Sequence, residues 1–405
     1  MSSGFFLSHL RLAVLTSGVA ALAGCDMSMT WEAIPTGSTV TESDDDDEAD
    51  VSQVALTQRF VVGQPNTTTV NHYFKGMNSP QGVFSDGTRL FVAECNNNRV
   101  LIYNTLPTAT GAVPDIVLGQ PHLASTLSNH SGSISGVVSA KGFNCPKQVY
   151  FDGTRLFVSD YNNSRILIWN TLPTANHTPA NVVVGRPSLT SPAGSGCTAS
   201  GLYWPMGFTI VAGKLIVADY GQHRVLIYNT VPTSSGTAAN NVIGQNSMTL
   251  CSLNYLGISA SSLYYPRGVA SNGTQLYISD GNNHRVLVFN TIPSANFAAA
   301  DYVVGQSIFT SSTINSGGLN SSSLYYPSGI QHDGSRLIVA DTYNHRVLFF
   351  NTPVVATDPV AIRVTGQPNF SSSTFNQNGT GMYYPQHAFS DGTRMFVAEI
   401  SNHRV

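Results

Sequence analysis

YPSGIQHDGSRLIVADTYNHRVLFFN (residues 326–351) is one copy of a unit that recurs six times along this 405-residue chain. Aligned on its proline, the copies begin at Pro80, Pro146, Pro205, Pro266, Pro327 and Pro385, between 58 and 66 residues apart. A fixed period of this size means that one unit cannot bury its apolar surface alone, so neighbouring copies must stack. Within the unit, an apolar run after the proline is followed by a turn pair: Asp86-Gly87, Asp152-Gly153, Ala212-Gly213, Asn272-Gly273, Asp333-Gly334 or Asp391-Gly392. Asp-Gly and Asn-Gly reach positive φ at low cost and mark hairpins. A second run such as KLIVAD (214–219) follows, then a third such as RVLIYN (99–104 reads RVLIYN as well) and a short fourth such as DYVVGQ (301–306).

Four antiparallel strands per unit, apolar on both faces, predict an all-β fold: a six-bladed β-propeller of four-stranded blades. RFVVGQP (59–65) reads as a fourth strand with no blade before it, and the sixth copy lacks one. Pairing the two would close the ring with an N-terminal strand and remove both free edges. The final copy ends within NHRV (402–405), which predicts a truncated C-terminus for the propeller, expected over 59–405.

The N-terminus carries a different message. Arg11 precedes an apolar run from Leu12 to Leu22, too short for a membrane span of about 20 residues. The LAGC sequence at 22–25 resembles the lipobox of bacterial lipoproteins. That resemblance implies a signal peptide over 1–24, lipidation of Cys25, and an exported protein anchored by lipid in the bacterial envelope, periplasmic or at the cell surface. Residues 25–58 read as an acidic disordered tether: TESDDDDEAD (41–50) has no apolar periodicity and reads as a solvated spacer. Nine acidic residues and no basic ones lie there, whereas 18 Lys and Arg face 13 Asp and Glu from Arg59 onward. The formal charge of −3 thus hides a mildly basic body.

VADTYNHRVLFF (339–350), with its Asn-His-Arg, resembles the NHL repeat, a propeller-forming unit. The resemblance covers all six copies and implies a β-propeller. Some similar propellers are metal-dependent lyases or hydrolases, including the peptidyl-hydroxyglycine lyase, whose axial channel gathers histidines or carboxylates.

Two polar positions repeat in every copy. An acid ends the second strand and an arginine follows five residues later: Glu94 and Arg99, Asp160 and Arg165, Asp219 and Arg224, Asp280 and Arg285, Asp341 and Arg346, Glu399 and Arg404. A catalytic group is needed once, so a pair in every blade reads as an internal brace of charge-assisted hydrogen bonds. His223, His284, His345 and His403 share one slot with Asn98 and Ser164. Blade geometry spreads these around the ring, so no metal site is expected and no cofactor is predicted.

The long insertions precede each proline, so one face is thickly decorated, and loops on a rigid scaffold are where recognition usually resides. At the axial mouth of that face the candidate ligand-binding residues are Gln81, Lys147, Gln148, Arg267 and His387, with Trp204, Tyr265, Tyr326 and Tyr384 around them. Such a set suits an anionic or sugar-like ligand held by hydrogen bonds and stacking. Export permits disulfides, and insertion positions predict Cys95–Cys145 and Cys197–Cys251. The chain has no G-x-S-x-G or H-E-x-x-H signature. The leading expectation is therefore a binding module for an envelope protein, peptide or glycan, touching membrane only through its lipid. A metal-dependent propeller enzyme and a ligand-free scaffold are the competing readings. Nucleic acid is not an expected partner, because no basic stripe appears.

Overall fold

The computed structural model describes residues 31–33, 61–64, 76–131, 136–375 and 381–405. The expected signal peptide, Cys25 and most of the acidic tether lie outside these residues. Blade one consists of Pro80–Ser85, Leu90–Glu94, Arg99–Tyr103 and Ile116–Leu118, hydrogen-bonded antiparallel in that order. Blades two to five repeat the arrangement, and their first strands are Pro146–Phe151, Pro205–Val211, Pro266–Ser271 and Pro327–His332. The middle strands are buried along their whole length, as Leu90–Glu94 and Arg99–Tyr103 illustrate. Both faces of each blade are covered by neighbours, which is why these runs do not alternate with polar residues.

The expected six four-stranded blades become five. The sixth copy contributes Pro385–Ser390 and Arg394–Glu399 to a three-stranded sheet, and Trp31–Ala33 supplies its third strand. The expected closing strand is not formed either. Described residues 61–64 are irregular; they meet the end of the chain through two backbone hydrogen bonds exchanged by Val62 and Val405 and one from the Gln64 side chain to the His403 carbonyl at 3.0 Å. Past Arg394–Glu399 the sixth copy forms an isolated Glu399–Arg404 bridge rather than a third strand. Trp31–Ala33 takes that place beside Arg394–Glu399, within a stretch expected to be an unstructured leash.

The first strands of all six copies surround one axis, and Phe84 of the first meets Phe389 of the last at 4.9 Å between ring centroids. Glycine two residues after the proline permits this crowding. A Cβ at Gly82 would sit 2.4 Å from the Lys147 carbonyl oxygen, and one at Gly207 2.6 Å from that of Arg267. Copies two and six carry Gln148 and His387 at this position instead. Gln148 spans to the next first strand, accepting from the Phe208 N–H at 2.7 Å and donating to the Phe208 carbonyl at 3.0 Å.

Candidate functional site at the axial mouth

The acid–arginine pairs are built into the blades. Arg165 Nε meets Asp160 Oδ2 at 2.7 Å, and Arg224 and Arg285 meet Asp219 and Asp280 at 2.9 Å. Arg346 meets Asp341 and Arg404 meets Glu399, each at 2.7 Å, and Arg99 pairs with Glu94. The remaining guanidinium donors of Arg165 reach the carbonyls of Ser139, Gly142 and Leu189, and Asp160 accepts the Asn144 backbone N–H at 2.7 Å. In blades one to five each pair therefore ties the insertion entering its own blade to the one leaving it. The histidine slot joins successive blades. The backbone N–H groups of Tyr265, Tyr326 and Tyr384 donate to Nδ1 of His223, His284 and His345 at 3.2–3.3 Å. Asn98 Oδ1 accepts the Cys145 N–H in the same way, and His403 Nδ1 accepts that of Ser79, linking the last copy to the first. Cys95 is bonded to Cys145, and Cys197 to Cys251.

Inside this frame, the axial residues converge. Gln81, Lys147, Gln148, Arg267, Ser328, Gln386 and His387 line one narrow cavity of about 30 Å³, room for a few atoms. Lys147 Nζ donates to Gln81 Oε1 at 3.1 Å and lies 5.0 Å from the Tyr161 ring centroid. Arg267 donates to the Tyr326 hydroxyl at 2.7 Å, to Ser328 Oγ at 3.0 Å and to Gln386 Oε1 at 3.1 Å. Its guanidinium also lies over the rings of Tyr326 and Tyr220. Burial lowers the Lys147 pKa from its ordinary range to about 7, and the charge of Arg267 adds to the effect. Among the described residues lining this mouth, Lys147 and Arg267 are the charged ones and neither takes part in a blade salt bridge. Two cations desolvated together, compensated by neutral oxygens and ring faces, favour an anion between them.

The predicted aromatics surround them. Trp204 stacks on Tyr161 at 5.7 Å, Tyr265 on Tyr220 at 4.5 Å and Tyr326 on Tyr343 at 4.6 Å, with Tyr384 at 5.3 Å from Tyr343. Tyr161, Tyr220 and Tyr343 were not among the sequence candidates. They sit in the 3₁₀ turns that follow the repeated acid, and an aromatic directly or one residue after that acid was the available signal. Burial raises the Tyr161 hydroxyl to about 12 and also raises Tyr220, so both remain donors at neutral pH. In the fourth copy the equivalent residue is Gly281, where a Cβ would lie 2.6 Å from Arg267 Cδ. That glycine makes the room through which the arginine stem passes.

His387 is placed differently from the rest. It lies below the two cations, buried, with its Nδ1 facing the Val83 N–H at 3.5 Å. Burial lowers its pKa to about 4, so the ring is neutral at pH 7. No group of three or more His, Cys, Asp or Glu that could hold a metal occurs among the described residues.

Residues 263–289, spanning the first three strands of blade four, match the NHL repeat family. The chain is a β-propeller with an NHL repeat. No curated protein sequence matches it significantly. Among solved structures, this NHL propeller is similar to a chain of the nidogen/laminin complex, at 13% identity over 84% of this chain and 95% of that one, with a TM-score of 0.41. A protein described as a candidate 6-phosphogluconolactonase from Bacteroides uniformis is 11% identical over 93% and 90%, with a TM-score of 0.48. Virginiamycin B lyase from Staphylococcus aureus is 9% identical over 81% and 97%, with a TM-score of 0.37.

Proposed function

We propose that this NHL-type propeller is a binding module whose axial mouth recognises an anionic group on a protein, peptide or glycan. In this reading the chain is exported, and Cys25 carries the lipid that tethers it in the bacterial envelope through the acidic leash. The observation that carries the reading is the pairing of Lys147 with Arg267 in one aromatic-walled mouth, with no carboxylate partner among the described residues. The six arginines of the repeated pairs each take an acid, and Arg186 is held by the Ser164, Gly194 and Leu202 carbonyls; Lys147 and Arg267 instead line the open axial cavity. The rings of Trp204, Tyr265, Tyr326 and Tyr384 would stack on a sugar face or a side chain next to the anion. The decorated insertions would add contacts to the larger partner.

The test is a binding screen of the full chain against envelope peptides and glycans bearing terminal carboxylate, phosphate or sulfate groups, beside their neutral analogues. Binding of an anionic member that is lost in Lys147→Ala/Arg267→Ala supports the reading. Binding indifferent to charge, or unchanged in the double variant, would contradict it.

A further inference from the structure

The axial channel has a second chamber. Below the level of Gln148 and His387, on the face of the short hairpin turns, the first strands enclose a cavity of about 260 Å³. Its wall includes Phe84, Tyr150, Phe208 and Phe389, and Phe84 lies 4.9 Å from both Tyr150 and Phe389. None of the residues lining it is an acid, a lysine or an arginine. Most of its polar groups are already engaged. Gln148 is held by Phe208, and Gln331 exchanges two hydrogen bonds with the Ser390 backbone at 2.7 and 3.0 Å. His332 accepts the Gly334 N–H and meets Thr352 Oγ1.

The exceptions are the Tyr150 and Thr209 hydroxyls and His387. His387 lines both chambers and is 8% exposed, and its Nδ1 is turned to the Val83 N–H. A neutral imidazole whose Nδ1 accepts carries its proton on Nε2. That N–H meets no acceptor among the described residues, and in a residue that lines both chambers it is open to them rather than sealed in the core. We propose that the second chamber is a ligand site for a small neutral aromatic molecule whose carbonyl oxygen accepts a hydrogen bond from His387. Size agrees: a cavity of about 150 Å³ lined by apolar side chains is enough for benzene, and 260 Å³ admits a fused two-ring system. The ring-lined wall offers edge-to-face contacts, and the absence of charge disfavours ions. The site is independent of the anionic mouth, which lies on the other side of the Gln148–His387 level.

Coumarin, which has a ring carbonyl, and naphthalene, which has none, discriminate the two halves of this proposal in ligand-observed NMR titrations of the full chain. Saturable one-to-one binding of coumarin is expected, with His387→Phe weakening it on the order of two- to tenfold while naphthalene affinity stays unchanged. Thr209→Trp or Ser271→Trp, at the chamber wall, should remove both, and Lys147→Ala neither. Should His387→Phe fail to fold, magnetisation transfer from coumarin to the Phe84 and Phe389 rings of the unaltered protein decides instead. Absence of saturable binding, absence of that transfer, or binding that survives both tryptophan variants would overturn the proposal.

Discussion

Arg267 Nη1 donates to the Tyr326 hydroxyl at 2.7 Å, and its other donors reach Ser328 and Gln386, so a half-buried arginine is held entirely by neutral oxygens. Hydrogen bonds of this kind orient a guanidinium without neutralising it. Arg285, in the same blade, is instead locked to Asp280 at 2.9 Å.

Binding of an anion at this mouth should depend on pH through Lys147. Its pKa of about 7 means that the free protein loses the ammonium as pH rises through neutrality. Affinity should therefore be flat below pH 7 and fall by up to about tenfold per unit above it, until the pKa of the complex is reached. Titration calorimetry from pH 5.5 to 9 checks this, and Lys147→Arg should remove the dependence while keeping the charge.

The same desolvation predicts a cost in stability. With a folded pKa below the unfolded value of 10.5, the unfolded chain holds more protons between about pH 7 and 10.5, so the lysine's penalty is greatest below 7 and disappears as pH rises through that window. Lys147→Met should accordingly stabilise the protein at pH 6 by about 1–3 kcal/mol, read as the denaturation midpoint, while abolishing anion binding. A brace would behave the opposite way.

Gly281→Ala should weaken anion binding without unfolding the blade, because the new Cβ would meet the Arg267 stem at 2.6 Å and displace it. Circular dichroism and a binding isotherm on one preparation separate the two effects.

The histidine slot gives a test of the frame. His345→Ala leaves the Tyr384 N–H without its acceptor and should cost about 1–3 kcal/mol. His345→Asn should recover part of that loss, since Asn98 performs the same task for Cys145. Equal destabilisation by Ala and Asn would show that the slot acts by ring packing on Tyr383 and Tyr384 instead.

Repetition made the blades legible: the proline, the Asp-Gly turn and the acid–arginine pair recur at the same offsets, and each occupies one strand boundary in the structure. The end of the ring was not legible in the same way. Closure depends on which segment reaches the last edge, and Trp31–Ala33, three residues without any repeat signature, pairs beside Arg394–Glu399 in the third-strand position. At the mouth, Lys147 and Arg267 stood out because axial positions differ between copies while blade positions do not. Tyr161 and Tyr220 did not, since a lone aromatic in a polar turn has no periodicity to mark it, and its partner lies one blade away. The chamber below His387 arises from spacing between strands, which residue order does not encode.

The most direct test of the anionic mouth is calorimetry of the full chain with matched ligands, a peptide or glycan bearing a terminal oxyanion and its neutral amide or unmodified counterpart, beside Lys147→Ala/Arg267→Ala. The account predicts one-to-one binding of the anionic member alone, lost in the double variant. Equal binding of the neutral counterpart, or binding that persists without both cations, would contradict it.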